Sequence, residues 1–285
     1  MVYDVATKVV LITGAASGIG AALARRLHGR GARVALFDVD VPAGERLAAD
    51  LGSSRALFLP VDVRDRAAIA DAVATVMARF GQLDVVVANA GVGPPVATVR
   101  TTDPAEFDRV VAVNLTGTFN TVRATLEQVI ARRGHVVVVS SVAAFTPGVG
   151  GAAYMMTKAA VEQLGRTLRA ELAPHGATAG LACFGVVDTP LTRRTLDDDP
   201  LGRRLHQMLP RPMRSRLTAG QAADLLVDAI TRRAPLSIAP ARWRPYALLR
   251  GIANLVIDHR TAHDRRLHTL VHDIEQRARS SGDAC

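Results

Sequence analysis

The sequence predicts an α/β protein with a single doubly wound domain, in which a parallel sheet of about seven strands has helices on both faces. Three observations favour this fold class: short apolar runs typical of buried strands, helical segments that alternate with them, and no linker, repeat or low-complexity tract between them. With 285 residues and 49% hydrophobic composition, the chain can bury one continuous core. We expect residues 1–240 to form the main domain and residues 241–285 a helical extension.

The predicted strands are apolar on both faces, as strands buried in a parallel sheet must be. The segments between them are rich in helix formers, and several end at glycine. Strands that alternate with helices in this way imply right-handed crossovers. The strand runs begin at residues 8, 33, 56, 84, 135, 178 and 236, and Thr218 to Gln221 form a potential capping box before the last of them.

The cysteine content and the length of the apolar runs indicate the compartment. Cys183 and Cys285 are the two cysteines, so a disulfide framework is not expected and a reducing compartment is. The N-terminal residues have no basic stretch followed by a long apolar one, and the longest apolar runs are well short of the roughly 20 residues of a membrane-spanning helix. We therefore expect a cytoplasmic protein.

The net charge of +9 is concentrated in the last third of the chain. Residues 1–190 contain 18 basic and 16 acidic groups, whereas residues 191–285 contain 17 and 10. Such an asymmetry is compatible with an anionic partner or with solvated arginines on helix surfaces. An aromatic content of 4% offers little for stacking bases, so no nucleic-acid partner is expected.

A glycine-rich turn follows the first predicted strand. Thr13 is followed by Gly14, four residues later by Gly18, and then by Ile19 and Gly20 at the start of a helix. Glycines in such a turn let the backbone approach a pyrophosphate, and the helix N-terminus offers free N–H groups and a positive dipole end. Strand, turn and helix occur in the required order, so we expect a dinucleotide site that includes Ser17 as well.

Tyr154 and Lys158 are four residues apart and share one face of a predicted helix. A phenol with a pKa near 10 is a weak acid or base at neutral pH unless a nearby cation stabilises its anion. Of the 35 basic residues, only Lys8 and Lys158 are lysines, so a lysine at this spacing stands out from an arginine background. A compact ammonium with three rotatable donors suits a tyrosine and a ribose better than a guanidinium does.

Together, T-G-x-x-x-G-x-G and Y-x-x-x-K make the chain similar to the short-chain dehydrogenase/reductase family over about residues 6–240. The resemblance implies a Rossmann-type fold and a nicotinamide cofactor. Asp38 ends the second strand about 20 residues past the glycines, where a carboxylate would bind the adenosine ribose hydroxyls and repel a 2′-phosphate. We therefore expect NAD as the cofactor, with NADP disfavoured.

The resemblance also assigns roles to residues at other strand ends. The cofactor-binding positions that it implies are Asp62 and Val63 after the third strand, Asn89, Ala90 and Gly91 after the fourth, and Gly185, Val187 and Thr189 after the sixth. In the family, a proline usually precedes the glycine of this last segment, but Phe184 occupies that position here. This departure from the family pattern changes the loop but removes no reacting group.

Four residues are expected to perform the chemistry. Ser141 follows the fifth strand, 13 residues before Tyr154, and the resemblance implies that it hydrogen-bonds the substrate oxygen. Ser140 points to the other side of an extended strand and is the weaker candidate. Tyr154 would exchange the proton, and Lys158 would lower the pKa of the tyrosine and hold the nicotinamide ribose. Asn114 would support the proton path, with a structural hydrogen-bonding role as the alternative.

The residues after Pro190 are expected to decide the substrate. Residues 190–216 occupy the position of the family's substrate lid, and their leucines suggest an apolar cover, although ordinary helix packing gives the same pattern. In the extension, residues 248–256 and 267–274 each form an apolar helical stripe. Such stripes could pack on the domain or on a neighbouring subunit, cover the substrate, or rest on a membrane surface. The histidines of this segment have no acidic or cysteine partners, so no metal is expected.

The sequence therefore predicts an NAD-dependent enzyme that interconverts a secondary alcohol and a ketone on a fairly apolar small-molecule substrate, in a homodimer or homotetramer. One alternative is a 3-oxoacyl thioester reductase, which the expected NAD preference disfavours. A second is a non-catalytic nucleotide sensor or scaffold, which would not need the intact set of Ser141, Tyr154 and Lys158.

Overall fold

A seven-stranded parallel sheet forms the centre of the molecule, in the strand order β3-β2-β1-β4-β5-β6-β9. The computed structural model describes residues 3–146 and 148–282, without the side chains of 281 and 282, so Cys285 lies outside the described residues. The sheet strands are β1 (Val9–Thr13), β2 (Arg33–Asp38), β3 (Ala56–Pro60), β4 (Val85–Ala88), β5 (His135–Ser141), β6 (Thr178–Phe184) and β9 (Leu236–Ala239), and β7 (Val187–Asp188) pairs separately with β8 (Leu217–Thr218).

Helices connect the strands and cover both faces of the sheet, which confirms the predicted fold class. The chain leaves β1 in one direction and returns to its other side with β4, so the strand order reverses between these two strands. In such sheets ligands bind at this switch point, beyond the carboxyl ends of the strands. The helices are α1 (Gly18–Gly29), α2 (Val41–Leu51), α3 (Arg66–Phe80), α4 (Pro104–Val111), α5 (Gly117–Ala131), α6 (Ala152–Leu172), α7 (Pro190–Thr192), α8 (Pro200–Met208), α9 (Ala219–Arg232), α10 (Arg244–His263) and α11 (Arg265–Gly282).

Two apolar layers flank the sheet because the strands are buried on both faces. On one side, the residues that alternate inward pack against α1 and α9, and on the other they pack against α3, α5 and α6. Strand β5 is buried along its whole length, from His135 to Ser141. A strand fixed on both faces delivers its last residues to a defined place at the sheet edge.

Local capping chemistry explains several helix starts. Thr218 and Gln221 form the expected capping box at the start of α9, with each side chain bonded to the other residue's backbone N–H.

The region from Pro104 to Arg133, expected to be helical throughout, is interrupted by one π-helical turn over Ala112–Thr116. Turns of this type are rare and occur often at functional sites.

After β9, the chain continues into α10 and α11. Helix α11 packs on the lid region through Leu270 and Ile274, each 1% exposed, in a small apolar cluster with Val96 and Leu201. Helix α10 lies beside α6, where Arg250 pairs with Glu162. The division of the chain near residue 240 stays a prediction.

Candidate active site

The glycine turn after β1 is a tight cradle at the switch point. Gly14 and Gly18 have φ of 65° and 52°, which favour glycine over residues with a side chain. A Cβ on Gly20 would lie 2.1 Å from the carbonyl oxygen of Gly14, so the turn closes only without one. Ser17 caps α1 in an extended conformation but makes no side-chain cap bond, and Ile19 packs against the core. The first N–H groups of α1 therefore face the cradle, as an anion such as a pyrophosphate requires.

Asn89 and Ala90, at the end of β4, hold the cradle from the neighbouring strand. The amide of Asn89 donates hydrogen bonds to the carbonyls of Thr13 and Gly14 at 2.9 and 3.2 Å. The backbone N–H groups of Asn89 and Ala90 both donate to the Thr13 hydroxyl at 3.1 Å. Both residues thus lie beside the glycine turn, and Thr13, the first residue of the T-G-x-x-x-G-x-G motif, supports them through its hydroxyl.

Asp38 bridges the end of β2 and the glycine turn. Its carboxylate accepts hydrogen bonds from the backbone N–H groups of Ala16 at 2.8 Å and Asp40 at 3.0 Å. The side chain is therefore oriented beside the cradle, where an adenosine ribose would lie. Arg33, at the other end of β2, bonds the carbonyls of Thr7 and Phe80 and is remote from this place.

Asp62 and Val63 follow β3, further along the same edge of the sheet. The Asp62 carboxylate is paired with the Arg64 guanidinium at 2.6 Å, which lowers the pKa of Asp62. Val63 is buried, and its carbonyl accepts a hydrogen bond from Asn120 at 3.1 Å. Any contact of Asp62 with an adenine would have to coexist with this ion pair.

The two serines that end β5 have different environments. The Ser140 hydroxyl donates to the carbonyl of Lys158 at 2.8 Å and so attaches β5 to α6. The Ser141 hydroxyl donates to the carbonyl of Phe184 at 3.2 Å and accepts from the backbone N–H of Ala143. Ser141 also affects the ionisation of Tyr154, so the two side chains are close together, whereas Ser140 serves the packing of α6.

Lys158 is 5% exposed and lies on the same face of α6 as Tyr154. Its Nζ atom donates to the carbonyl of Val139 at 3.1 Å and lies 5.6 Å from the centre of the Tyr154 ring. Burial of the ammonium lowers the pKa of Lys158 to about 8. At neutral pH this lysine is therefore mostly charged but close to its titration.

Desolvation raises the pKa of Tyr154, and the nearby Ser141 acts in the opposite direction. The phenol is neutral at neutral pH in this structure and can donate a proton. The expected lowering of the tyrosine pKa by Lys158 is therefore not found in this structure, because burial of the phenol dominates.

Asn114 is fully buried in the π-helical turn. Its side chain accepts from the N–H of Val92 at 2.8 Å and donates to the carbonyl of Val92 at 2.9 Å. It also donates to the Thr157 hydroxyl at 3.3 Å. Asn114 therefore ties the loop after β4 to α6, one residue from Lys158, and a Cβ on Gly91 would lie within 3.5 Å of both Asn114 and Lys158.

The segment after β6 closes the cradle from the opposite side. Gly185 lies against Trp243, where a Cβ would be 2.8 Å from the indole nitrogen, and Val187 is buried in β7. Thr189 caps α7, and its methyl carbon would lie 3.2 Å from a Cβ on Gly18. Phe184, in the position of the usual proline, is buried and pairs with Ser141 in the sheet register. The structure thus brings the segment of Thr189 to the glycine turn.

Sequence reasoning missed two parts of the site. Thr157 links Asn114 to α6, and its only signal is its position beside Lys158 on the buried face of the helix. Ile274 of α11 approaches Gly150, in the loop between Ser141 and Tyr154, where a Cβ on the glycine would lie 3.7 Å from the isoleucine. No local pattern indicates a contact between residues so far apart in the chain.

Two kinds of feature are absent from the described part of the chain. No helix there is long and apolar enough to cross a membrane. Within the same residues, no group of three or more histidine, cysteine or acidic side chains is arranged to hold a metal ion.

A parallel sheet with a glycine cradle at its switch point is the architecture of dinucleotide-binding α/β proteins. Residues 8–200 match the model of the short chain dehydrogenase family, and the chain belongs to this family of oxidoreductases. It is 36% identical over 228 residues to 2-(R)-hydroxypropyl-CoM dehydrogenase of Xanthobacter autotrophicus, covering 78% of this chain and 90% of the relative.

Solved structures show the same fold. A 3-ketoacyl-(acyl-carrier-protein) reductase from Brucella melitensis, complexed with NADH, superposes with a TM-score of 0.73 at 27% identity and covers 82% of this chain and 97% of its own. A short chain dehydrogenase/reductase from Burkholderia phymatum, in complex with NAD, superposes with a TM-score of 0.79 at 24% identity. The match covers 89% of this chain and 96% of the other chain. The second likeness concerns the fold alone.

Proposed function

We propose that the protein is an NAD(H)-dependent oxidoreductase that interconverts a secondary alcohol and a ketone. The observation that carries the proposal is the meeting of Ser141, Tyr154 and Lys158 beside the glycine cradle, from β5 and α6. Bound nicotinamide would accept or supply the hydride. The chain's own residues would bind the substrate oxygen and move its proton.

The residues of the cradle fit a dinucleotide. Gly14, Gly18 and Gly20 leave room for the pyrophosphate at the N-terminus of α1, and Asp38 would bind the ribose hydroxyls. The carboxylate of Asp38 supports NAD over NADP because it would repel a 2′-phosphate. The NADH complex of the 27% identical reductase agrees with this cofactor.

In the proposed reaction Tyr154 is the general acid or base. In reduction its neutral phenol donates a proton to the substrate oxygen, and in oxidation its phenolate accepts the proton of the alcohol. The Ser141 hydroxyl orients that oxygen. Lys158 supplies a buried positive charge that stabilises the phenolate, and Asn114 holds the neighbouring loop in place.

The lid supports an apolar substrate. Leu201, Leu205 and Met208 of α8 join Leu270 and Ile274 of α11 in one apolar cluster that contacts the loop leading to Tyr154. A substrate space under such a cover would be bounded by apolar side chains, which favour alkyl or ring carbons over charged groups. Each additional methylene that becomes buried should raise kcat/KM about fourfold.

Purified protein should be tested with NAD and a series of secondary alcohols of increasing chain length, followed by the absorbance of NADH. Turnover that improves with chain length supports the proposal. Faster reduction of a 3-oxoacyl thioester with NADPH than of any simple ketone with NADH would identify the protein instead as an oxoacyl reductase. Cofactor binding without turnover of any alcohol, ketone or oxoacyl substrate would identify a nucleotide sensor.

A further inference from the structure

Helix α10 presents a row of large aliphatic side chains to the outside of the molecule. These residues, which we name the outer face of α10, recur at helical spacing along one side of the helix, and each is at least half exposed in the described structure. They are Leu248, Leu249, Ile252, Leu255 and Val256, with exposures of 80%, 61%, 73%, 72% and 50%. The row extends for about 12 Å at 1.5 Å per residue.

The opposite side of α10 is fixed to the domain by polar contacts and by Tyr246 and Ala247, which pack against the apolar core. Arg250 makes two hydrogen bonds to Glu162 of α6, at 2.9 and 2.7 Å. Tyr246 and Asn254 each donate to the carbonyl of Phe145 at 3.2 Å. A surface helix normally buries its apolar stripe and exposes its polar side. Here the hydrogen bonds, together with the packing of Tyr246 and Ala247, hold the opposite side against the domain, so the larger aliphatic row is left exposed.

Positive charge borders the outer face. Arg244 lies one turn before the aliphatic row and Arg260 one turn after it, and both are exposed. His259 continues the row on the same side of the helix. Asp258 is the one acidic residue of α10, all of which is described, and by helical geometry it lies to the side of the row. The partner must therefore offer an apolar surface bordered by negative charge.

A second copy of this chain meets only half of that requirement. In a two-fold pair of α10 helices the aliphatic rows could face each other. In an antiparallel pair Arg244 would lie near Arg260 of the other copy, and in a parallel pair each arginine would face its equivalent. Both arrangements bring like charges together without an acidic partner from α10, which is unfavourable.

We propose that the outer face of α10 binds the surface of an anionic phospholipid bilayer. The aliphatic row would enter the boundary between headgroups and acyl chains, and Arg244 and Arg260 would contact lipid phosphates. The binding is peripheral, with the helix in the plane of the surface. It does not depend on which reaction the protein catalyses, because the outer face points away from the loop at Phe145, which contacts the opposite side of α10.

The test is co-sedimentation of the full-length protein with vesicles. One set contains phosphatidylcholine alone and the other about three parts phosphatidylcholine to one part phosphatidylglycerol. Wild type should bind the anionic vesicles, and the binding should weaken as salt is added. Ile252→Asp should lower the partition at least about tenfold, because a charge replaces an inserted aliphatic side chain. Val99→Asp, a change at a valine that is 80% exposed elsewhere on the surface, is the matched control and should bind as wild type does.

The charged border has its own variant. Arg244→Glu combined with Arg260→Glu should remove the preference for anionic over neutral vesicles. The proposal is overturned if wild type does not bind anionic vesicles, or if Ile252→Asp binds them as well as wild type does. It is also overturned if sedimentation shows an oligomer that Ile252→Asp dissociates and Val99→Asp does not, since the occupant would then be a second copy.

Discussion

The ammonium of Lys158 lies 5.6 Å from the centre of the Tyr154 ring and is held there by its hydrogen bond to the carbonyl of Val139. The charge is thus placed beside the phenol by the backbone of β5. The arrangement requires an ammonium to remain in a buried position, which is unfavourable for folding. The effect of burying this charge can therefore be measured in the stability of the protein as well as in its kinetics.

Replacing Lys158 by methionine should change the pH dependence of stability. The folded-state pKa of about 8 lies below the ordinary 10.5, so the folded protein binds fewer protons than the unfolded chain between these values. Wild type should therefore gain about 3 kcal/mol of unfolding free energy as pH rises through this window, and Lys158→Met should not. Urea unfolding across the window measures the difference. The other lysine, Lys8, is partly exposed, and Lys8→Met is the control; parallel curves for wild type and Lys158→Met would contradict the burial of a charge.

His135 should account for part of the loss of folding stability at acidic pH. It is fully buried in β5, with a hydrogen bond between Nδ1 and the Thr178 hydroxyl at 2.8 Å, and burial lowers its pKa to about 4. Because the unfolded chain binds this proton more readily, stability should fall by about 3 kcal/mol as pH drops from 6.5 through 4. His135→Gln should remove this loss, measured by urea unfolding. Exposed His175→Gln should keep it, and the idea fails if His135→Gln loses stability in acid as wild type does.

Asp38 should set the cofactor preference. Asp38→Asn removes the negative charge that would repel a 2′-phosphate while keeping one carbonyl acceptor for the glycine turn. The ratio of kcat/KM with NADP to that with NAD should rise at least about tenfold, or about 1.4 kcal/mol. Asp40→Asn is the control, because Asp40 is exposed and caps α2. An unchanged ratio in Asp38→Asn would remove the argument for NAD.

Ile274 should hold α11 on the lid. The side chain is 1% exposed, and Ile274→Ala should remove about 2–5 kcal/mol of packing from the cluster with α8. We expect faster amide exchange in α8 and α11 with no change in the central strands, and a higher KM for a long-chain substrate. Gln276→Ala, at an exposed position of the same helix, should leave both unchanged. Exchange that rises equally throughout the protein would show that α11 supports the whole fold instead.

The parts of the fold that follow from local patterns could be predicted from the sequence. All seven sheet strands appear where apolar runs were found, because strands buried on both faces have few alternative placements. The glycine turn could be predicted equally well. Gly14 has a backbone conformation that favours glycine, and the space at Gly20 leaves no room for a side chain. The proximity of Tyr154 and Lys158 followed from helical spacing alone.

The orientation of the last two helices could not be read in this way. Both have an apolar stripe, but the stripe of α11 is buried through Ile274 and the stripe of α10 is exposed at Leu248. Contacts with distant residues hold the opposite side of α10 against the domain, among them the pairing of Arg250 with Glu162, which lies 88 residues earlier in the chain. The periodicity of the sequence shows that a helix has an apolar and a polar face. Contacts with residues far away in the chain determine which of the two faces is buried.

The activity of Tyr154→Phe tests the central claim most directly. The substitution removes one hydroxyl and keeps the ring beside Lys158, so cofactor binding, followed by protein fluorescence, should be preserved. The matched control is Tyr246→Phe. Tyr246 belongs to the extension, and its hydroxyl donates a hydrogen bond to the carbonyl of Phe145. We predict that kcat for oxidation of a secondary alcohol falls about 10²–10⁴-fold in Tyr154→Phe and stays near wild type in Tyr246→Phe. Full activity of Tyr154→Phe would contradict the assignment of this phenol as the acid and base.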